Sequence, residues 1–201
     1  MKTILTLVDF SNASTNALLF AGELSKRTSA RLVIINIILK GESEEESKNK
    51  LRSIELDLKK SLDFDLKCES SFAHGNLITT LKKIIAVQQP DLIVMGTKGA
   101  SGLKRILIGS NTVKVITKTK VPVLVIPEVA RFENFLYKGK NRIVLATDLD
   151  FLENEDAINI LKEIAMIIIE PKLRVLSVAE KYQPSRCEKN GTQLSSFFFQ
   201  S

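Results

Sequence analysis

Four glycines and a cluster of small polar residues carry the clearest chemistry in this chain. They lie in the stretch Met95-Gly96-Thr97-Lys98-Gly99-Ala100-Ser101-Gly102, and again in Gly109-Ser110-Asn111-Thr112. The stretch follows Asp91–Met95, a short apolar run that reads as a buried parallel strand. It leads into Val113–Lys118, which reads as a helix. Glycines let the backbone approach an anion closely, and a helix N-terminus offers free N–H groups at the positive end of its dipole. The chemistry is therefore phosphate binding, and the expected ligand is a nucleotide. Lys98, Lys104 and Arg105 add positive charge to the same stretch.

Other chemistries lack their residues. No Gly-x4-Gly-Lys-Ser/Thr loop occurs, and no second acidic motif for magnesium is visible. His74, the one histidine, falls in a turn with no Ser or Cys partner in a recognisable motif. Cys68 and Cys187 stand far apart, in neither metal nor redox spacing. No catalytic residue and no protein-held metal are assigned. A bound ATP would bring any Mg2+ with it, held by phosphates and water.

Composition sets the outer limits. The chain has 201 residues, 44% hydrophobic and 26% charged, which leaves enough apolar side chains for a core. The net charge is +6, but Lys and Arg are spread along the sequence and Glu42–Glu46 is acidic. This pattern predicts a mixed solvated surface and no nucleic-acid partner. The longest apolar runs, such as Leu32–Leu39, are too short to span a bilayer, so no membrane partner is expected. Met1-Lys2-Thr3 leads straight into a strand, which leaves no room for a targeting segment. With the scattered cysteines this predicts a cytoplasmic location.

The elements that must position the glycine stretch follow from periodicity. Thr3–Val8 is a first strand, and Asp9-Phe10-Ser11-Asn12 is a polar turn rich in capping residues. A helix from Ala13 to Arg27 places Ala17, Leu18, Ala21 and Leu24 on one face. Arg31–Ile38, apolar on both faces, is a central strand. Glu42–Leu62 is an amphipathic helix with Leu51, Ile54, Leu58 and Leu62 as its buried stripe. Leu66–Phe72 reads as a third strand near an edge. Leu77–Gln88 is a helix with Leu77, Ile78, Leu81, Ile84 and Ile85 inward, stopped by Gln89-Pro90. Val121–Pro127 is a fifth strand with proline near both ends, as suits an edge. Alternating strands and helices imply a parallel sheet covered on both faces. Ligands of such sheets sit at the carboxyl ends of the strands, where strand order reverses. Asp9 and Gly96 then share one crevice if the first and fourth strands are neighbours.

Residues 129–141 read as a linker, after which the pattern restarts. Arg142–Asp148 repeats the character of Thr3–Asp9. A helix with Ile160, Leu161, Ile164 and Ile168 follows, then a strand at Leu173–Val178. This is an internal repeat that stops after β-α-β. The chain thus divides into a nucleotide-binding domain (1–128), a linker (129–141) and an incomplete second repeat with a polar tail (142–201). Asp148 matches Asp9, but Asp150 stands where Ser11 stood. A carboxylate there disfavours phosphate, so the second repeat is not expected to bind nucleotide alone.

The chain resembles the universal stress protein family. The family's signature, Gly-x2-Gly-x9-Gly-Ser/Thr, matches Gly96-Thr97-Lys98-Gly99, nine residues, then Gly109-Ser110. Val8-Asp9-Phe10-Ser11 matches its Val-Asp-x-Ser, and the fifth strand matches as well. The resemblance covers residues 1–127, and more loosely 142–179, so the chain looks like a tandem member with a short second half. It implies an open, Rossmann-like parallel five-stranded sheet of order 3-2-1-4-5. It also implies an ATP site. Val8, Asp9 and Ser11 would lie on the adenine or ribose side, with Asn36 and Ile37 bordering the adenine (family members often carry His at the Asn36 position). Met95, Gly96, Thr97, Gly99, Gly102, Gly109, Ser110, Asn111 and Thr112 would surround the phosphates. The expected function is an ATP-binding stress-response regulatory module that forms a homodimer through the strand Val121–Ile126. The alternatives are a weak ATPase or autophosphorylating enzyme, with Ser101, Ser110 or Thr112 as acceptor, and an interaction protein with a vestigial site.

Overall fold

The computed structural model describes residues 1–39, 41–62, 65–97, 109–136, 142–147, 155–167 and 172–177. The elements are β1 (Thr3–Val8), α1 (Asn12–Thr28), β2 (Arg31–Ile38), α2 (Glu44–Leu62), β3 (Cys68–His74) and α3 (Leu77–Gln88). They continue with β4 (Leu92–Thr97), α4 (Ser110–Lys118) and β5 (Val123–Pro127). A 3-10 turn at Phe132–Leu136 precedes β6 (Arg142–Thr147), α5 (Glu155–Ile167) and β7 (Lys172–Ser177). The first five strands form one parallel sheet of order β3-β2-β1-β4-β5, as the sequence predicts.

Two apolar layers hold this sheet. On one face Ile4, Val8, Leu32, Ile34, Leu92 and Val94 pack with Ala17, Leu18, Ala21 and Leu24 of α1 and with Leu51 and Leu58 of α2. On the other, Leu5, Leu7, Val33, Ile35, Ile93 and Met95 pack with Leu81 of α3 and Val115 of α4. The alternation of side chains along each strand assigns these residues to their layers. Each fully buried Leu, Ile or Val contributes about 1.5–3 kcal/mol relative to exposure. Burial of both faces explains why the central strands read as unbroken apolar runs.

Local chemistry sets the helix ends. Ser11 caps α1, its side chain accepting from the Ser14 N–H, and Ser29 closes it in a left-handed conformation (φ 55°). Asn76 caps α3 by accepting from the Ile78 N–H, and Gln89 closes it at φ 46°, with Pro90 next. Strand limits differ by a residue or two from the sequence reading. β3 starts at Cys68 and runs through His74, and β5 starts at Val123. β4 continues through Gly96 and Thr97, so Gly96 is a strand residue and not part of the turn.

The segment after β5 packs over its described part, unlike a free linker. Asn16 Nδ2 donates to the carbonyls of Pro127 (2.9 Å) and Ala130 (3.1 Å). Phe132 is buried, with its ring 5.3 Å from that of Phe20 and the Arg27 guanidinium 5.3 Å from its centroid. Beyond it, β6 and β7 form a separate parallel pair, Arg142 opposite Lys172 through Thr147 opposite Ser177. Ile160 of α5 is buried in the α1-side layer, with Ile164 and Ile167 packed against it, and the Met1 amino group meets Glu163 at 2.6 Å.

Gly96 has a demand of its own. A Cβ there would overlap the carbonyl of Ala13 and stand 2.8 Å from the Ser14 nitrogen, because the first turn of α1 lies directly on the end of β4. Both obstacles are backbone and cannot turn aside. Gly96→Ala should therefore lower unfolding stability by about 2–3 kcal/mol in denaturant titration. Gly22→Ala, whose methyl meets only the Leu58 and Leu62 side chains, should cost clearly less.

Candidate functional site

β1 has β2 on one side and β4 on the other, so the strand order reverses between β1 and β4. The carboxyl ends of these two strands, Val8 and Thr97, therefore open on the crevice where parallel sheets bind ligands. Asp9 follows β1 directly. Its Oδ1 accepts from the Ser11 N–H (3.0 Å) and the Ser11 hydroxyl (2.5 Å). Its own N–H donates to Ser14 Oγ (3.3 Å), which in turn donates to the Ser11 carbonyl (3.0 Å). Ser14 was not among the residues expected here. The spacing Asp-x-Ser-x-x-Ser, a turn former followed by two capping hydroxyls, is the signal that would have found it.

Partial burial pushes the Asp9 carboxyl up, but the Ser11 and Ser14 hydrogen bonds outweigh it and hold the pKa below the ordinary value of 3.8. Phe10, next in the turn, sits at φ 62°, a conformation uncommon outside glycine. Its ring packs on the α1-side core and carries the Lys50 ammonium 5.4 Å from its centroid.

The other wall is the start of α4. Gly109 is the N-cap, and among the described residues no side chain caps this helix, in contrast to α1 and α3. Gly109 is half-buried, whereas Ser110 and Asn111 are exposed. The first turn thus presents backbone N–H groups and a positive dipole end where an anion could sit. Thr112 is buried, and its hydroxyl donates to the Gly96 carbonyl (3.2 Å), tying α4 to β4.

The expected site residues divide accordingly. Asp9, Ser11, Gly96, Gly109, Ser110 and Asn111 retain some exposure at the carboxyl ends of β1 and β4 and the start of α4. Val8, Met95, Thr97 and Thr112 are buried, with Val8 in the α1-side core and Met95 in the α4-side core. Asn36 is 4% exposed, and its Nδ2 donates to the Val8 carbonyl (2.9 Å), bracing the end of β1. Its Oδ1 is buried with no hydrogen-bond partner. Ile37 is half-buried and packs on the opposite layer. Gly99 and Gly102, with Lys98, Ser101, Lys104 and Arg105, lie outside the described residues, as do Asp148 and Asp150.

Elsewhere the reactive groups are engaged. His74 Nε2 lies 2.9 Å from Glu44 Oε2 on the surface. Burial, with Glu55 and Glu69 nearby, pushes the Cys68 thiol up to about 12 against the pull of Lys59, which leaves it unreactive. Among the described residues no group of three or more His, Cys, Asp or Glu could hold a metal ion, and no helix is long and apolar enough to cross a membrane.

The fold defines an α/β protein whose five-stranded parallel sheet has a hydrogen-bonded carboxylate just past β1 and an anion-receptive helix start tied to the end of β4. The universal stress protein family matches residues 1–127, and the chain belongs to that family. It is 38% identical over 88 residues to universal stress protein MJ0577 of Methanocaldococcus jannaschii, covering 44% of this chain and 52% of that protein. It is 32% identical over 93 residues to universal stress protein MJ0531 of the same organism, covering 46% and 51%. The chain thus spans about half the length of these curated relatives. The solved MJ0577 structure superposes with a TM-score of 0.50 at 31% identity, covering 65% of this chain and 98% of that one. Universal stress protein UspA of Lactobacillus plantarum superposes at 0.53, with 20% identity and coverage of 62% and 97%, a likeness of fold.

The lowered pKa of Asp9 has a directional consequence. A carboxylate whose folded pKa lies below its unfolded value stabilises the fold fully above that unfolded value, here 3.8, and the contribution is lost as pH falls through the folded pKa. Asp9→Asn keeps an acceptor but only a neutral one. Denaturant midpoints of wild type and Asp9→Asn should therefore differ at neutral pH and converge as acid protonates the wild-type carboxyl. A gap that stays constant down to the acid transition would assign the effect to shape, not charge.

Proposed function

We propose that the chain is an ATP-binding regulatory module of the stress response, with its nucleotide held between Asp9 and the start of α4. The observation that carries this is the uncapped first turn at Gly109, facing the crevice at the β1/β4 reversal while α1 and α3 are capped by their own side chains. The triphosphate would take the free N–H groups of Ser110 and Asn111, with Gly99 and Gly102 supplying close backbone approach on the loop side. Asp9 would accept from the ribose or adenine. Asn36 supports this side by bracing Val8. Bound ATP supplies the phosphate charge and any Mg2+ that the phosphates carry, while the chain's own groups bind and orient.

The site favours binding over turnover. Thr112, one candidate phosphate acceptor, is buried and already donates to Gly96, and no described residue stands as a base. Calorimetry should show one ATP per chain. Gly109→Asp makes the clearest test. At φ −62° and ψ 149° the N-cap position accepts Asp, which caps a helix well and complements its dipole. The variant should melt at the same or a higher temperature while losing at least about tenfold in ATP affinity, because its carboxylate occupies the phosphate position. Absence of heat with wild type and ATP or ADP near millimolar concentration would reject the reading.

The same reading takes residues 142–201 as an incomplete second repeat leaning on the first domain, a view supported by the burial of Ile160 against the α1 side. It also takes β5 as a dimer edge. β5 ends the strand order, and Val121, Val123, Leu124 and Val125 remain partly exposed beside it. An apolar open edge is a template for pairing. Light scattering at high micromolar concentration should give the mass of two chains, and a monomer there would remove the dimer from the proposal.

A further inference from the structure

Among the described residues, the helices on one face of the sheet carry lysines and no carboxylate. α3 and α4 both pack on the layer built from Leu5, Val33, Ile93 and Met95. α3 carries Lys82 and Lys83, α4 carries Lys114 and Lys118, and Lys120 follows at once. All five are exposed, and neither helix contains an acidic residue. Among the described residues no carboxylate forms an ion pair with any of them. The opposite face is mixed. α2 opens with Glu44, Glu45 and Glu46, and its Lys50 and Lys59 are paired with Glu46 and Glu55. In α1, Arg27 is paired with Glu23. Along the chain, Gly75–Pro127 holds eight Lys and Arg residues and a single carboxylate, Asp91, a balance of +7 against +6 for the whole chain, although Lys98, Lys104 and Arg105 of these lie outside the described residues.

We propose that the α3/α4 face is a docking surface for the phosphate backbone of double-stranded nucleic acid, engaged without reading its sequence. Unpaired lysines spread over two adjacent helices suit a polyanion, where each contact releases condensed counterions. The face lacks the groups that other partners require. It has no aromatic residue on either helix to stack the bases of a single strand. It has no arginine on either helix for bidentate reading of a base edge. Its exposed apolar residues are Val87, Val113 and Ile116, too few and too small to bury a helix in a lipid interface. The aromatic and arginine anchors of a protein interface are likewise missing from these helices. Backbone phosphate, met by lysine ammonium groups as point charges, is what remains.

The surface lies on the outer sides of the helices, so it is distinct from the crevice at the strand ends. The test uses the full chain and labelled 20-base-pair DNA and RNA duplexes, followed by fluorescence anisotropy between 50 and 200 mM salt. Both duplexes should bind, with a slope of log Kobs against log salt of about −3 to −4.5, as expected for up to five lysines at ~0.9 each. Lys114→Gln, Lys118→Gln and Lys120→Gln together should weaken binding about tenfold or more at the lowest salt and make the slope shallower by about 2 to 3. A matched triple on the other face, Lys48→Gln, Arg52→Gln and Lys60→Gln, makes the same change in net charge and should leave the slope nearly unchanged. Equal losses from the two triples would overturn the proposal, because net charge alone would then account for binding. So would failure of wild type to bind either duplex at 50 mM salt, or binding to phosphatidylserine vesicles without binding to duplex.

Discussion

The approach of α1 to the end of β4 is the constraint on which the rest depends. The first turn of α1 rests on Gly96 with its own backbone, at a distance that admits no side chain. That contact fixes the angle at which the chain leaves β1, and with it the Asp9-Phe10-Ser11 turn. Phe10 takes a left-handed conformation so that the chain can leave β1 and enter α1 within three residues. The Asp9–Ser11–Ser14 hydrogen bonds then lock what the close contact has placed. On the other side, Thr112 ties the start of α4 to the Gly96 carbonyl. One glycine therefore sets both walls of the crevice, from its missing side chain towards α1 and from its carbonyl towards α4.

Much of this was legible from residue types. The alternation of elements and the buried stripes follow from apolar periodicity, which depends on which faces of a strand or helix meet other protein, whereas the strand order came with the resemblance to the universal stress proteins. Helix starts at Ser11 and Asn76 follow from capping chemistry. Three things were not legible. A glycine spacing announces a close approach but not to what, and Gly96 meets a helix backbone. Strand pairing decides which way a side chain points, so residue types alone did not show that the Val8 and Met95 side chains each belong to a core layer. Polar composition hid the packing of the segment after β5, because Phe132 and the two hydrogen bonds of Asn16 hold it and neither makes a pattern.

Charge illustrates the same limit from another side. Lys82, Lys83, Lys114, Lys118 and Lys120 look scattered along the sequence yet share one surface, because consecutive βα units place α3 and α4 together on one layer. Sequence order measures separation along the chain, whereas an electrostatic field depends on separation in space. Capping shows a related contrast. Ser11 and Asn76 each accept an N–H from the first turns of α1 and α3, whereas among the described residues no side chain does so for α4, which starts at a glycine. An open helix start next to a sheet end carries a standing cost in unsatisfied N–H groups, which an anion offsets.

The two unlike faces also make the molecule electrically lopsided. Among the described residues, the acidic beginning of α2 and the lysine side of α3 and α4 belong to opposite layers, a charge asymmetry across the sheet. In dilute buffer such bodies attract front to back. A front-to-back contact is heterologous, so it adds further copies without closing on itself. Salt at about 0.1 M shortens the reach of the attraction to about 10 Å and dissolves it.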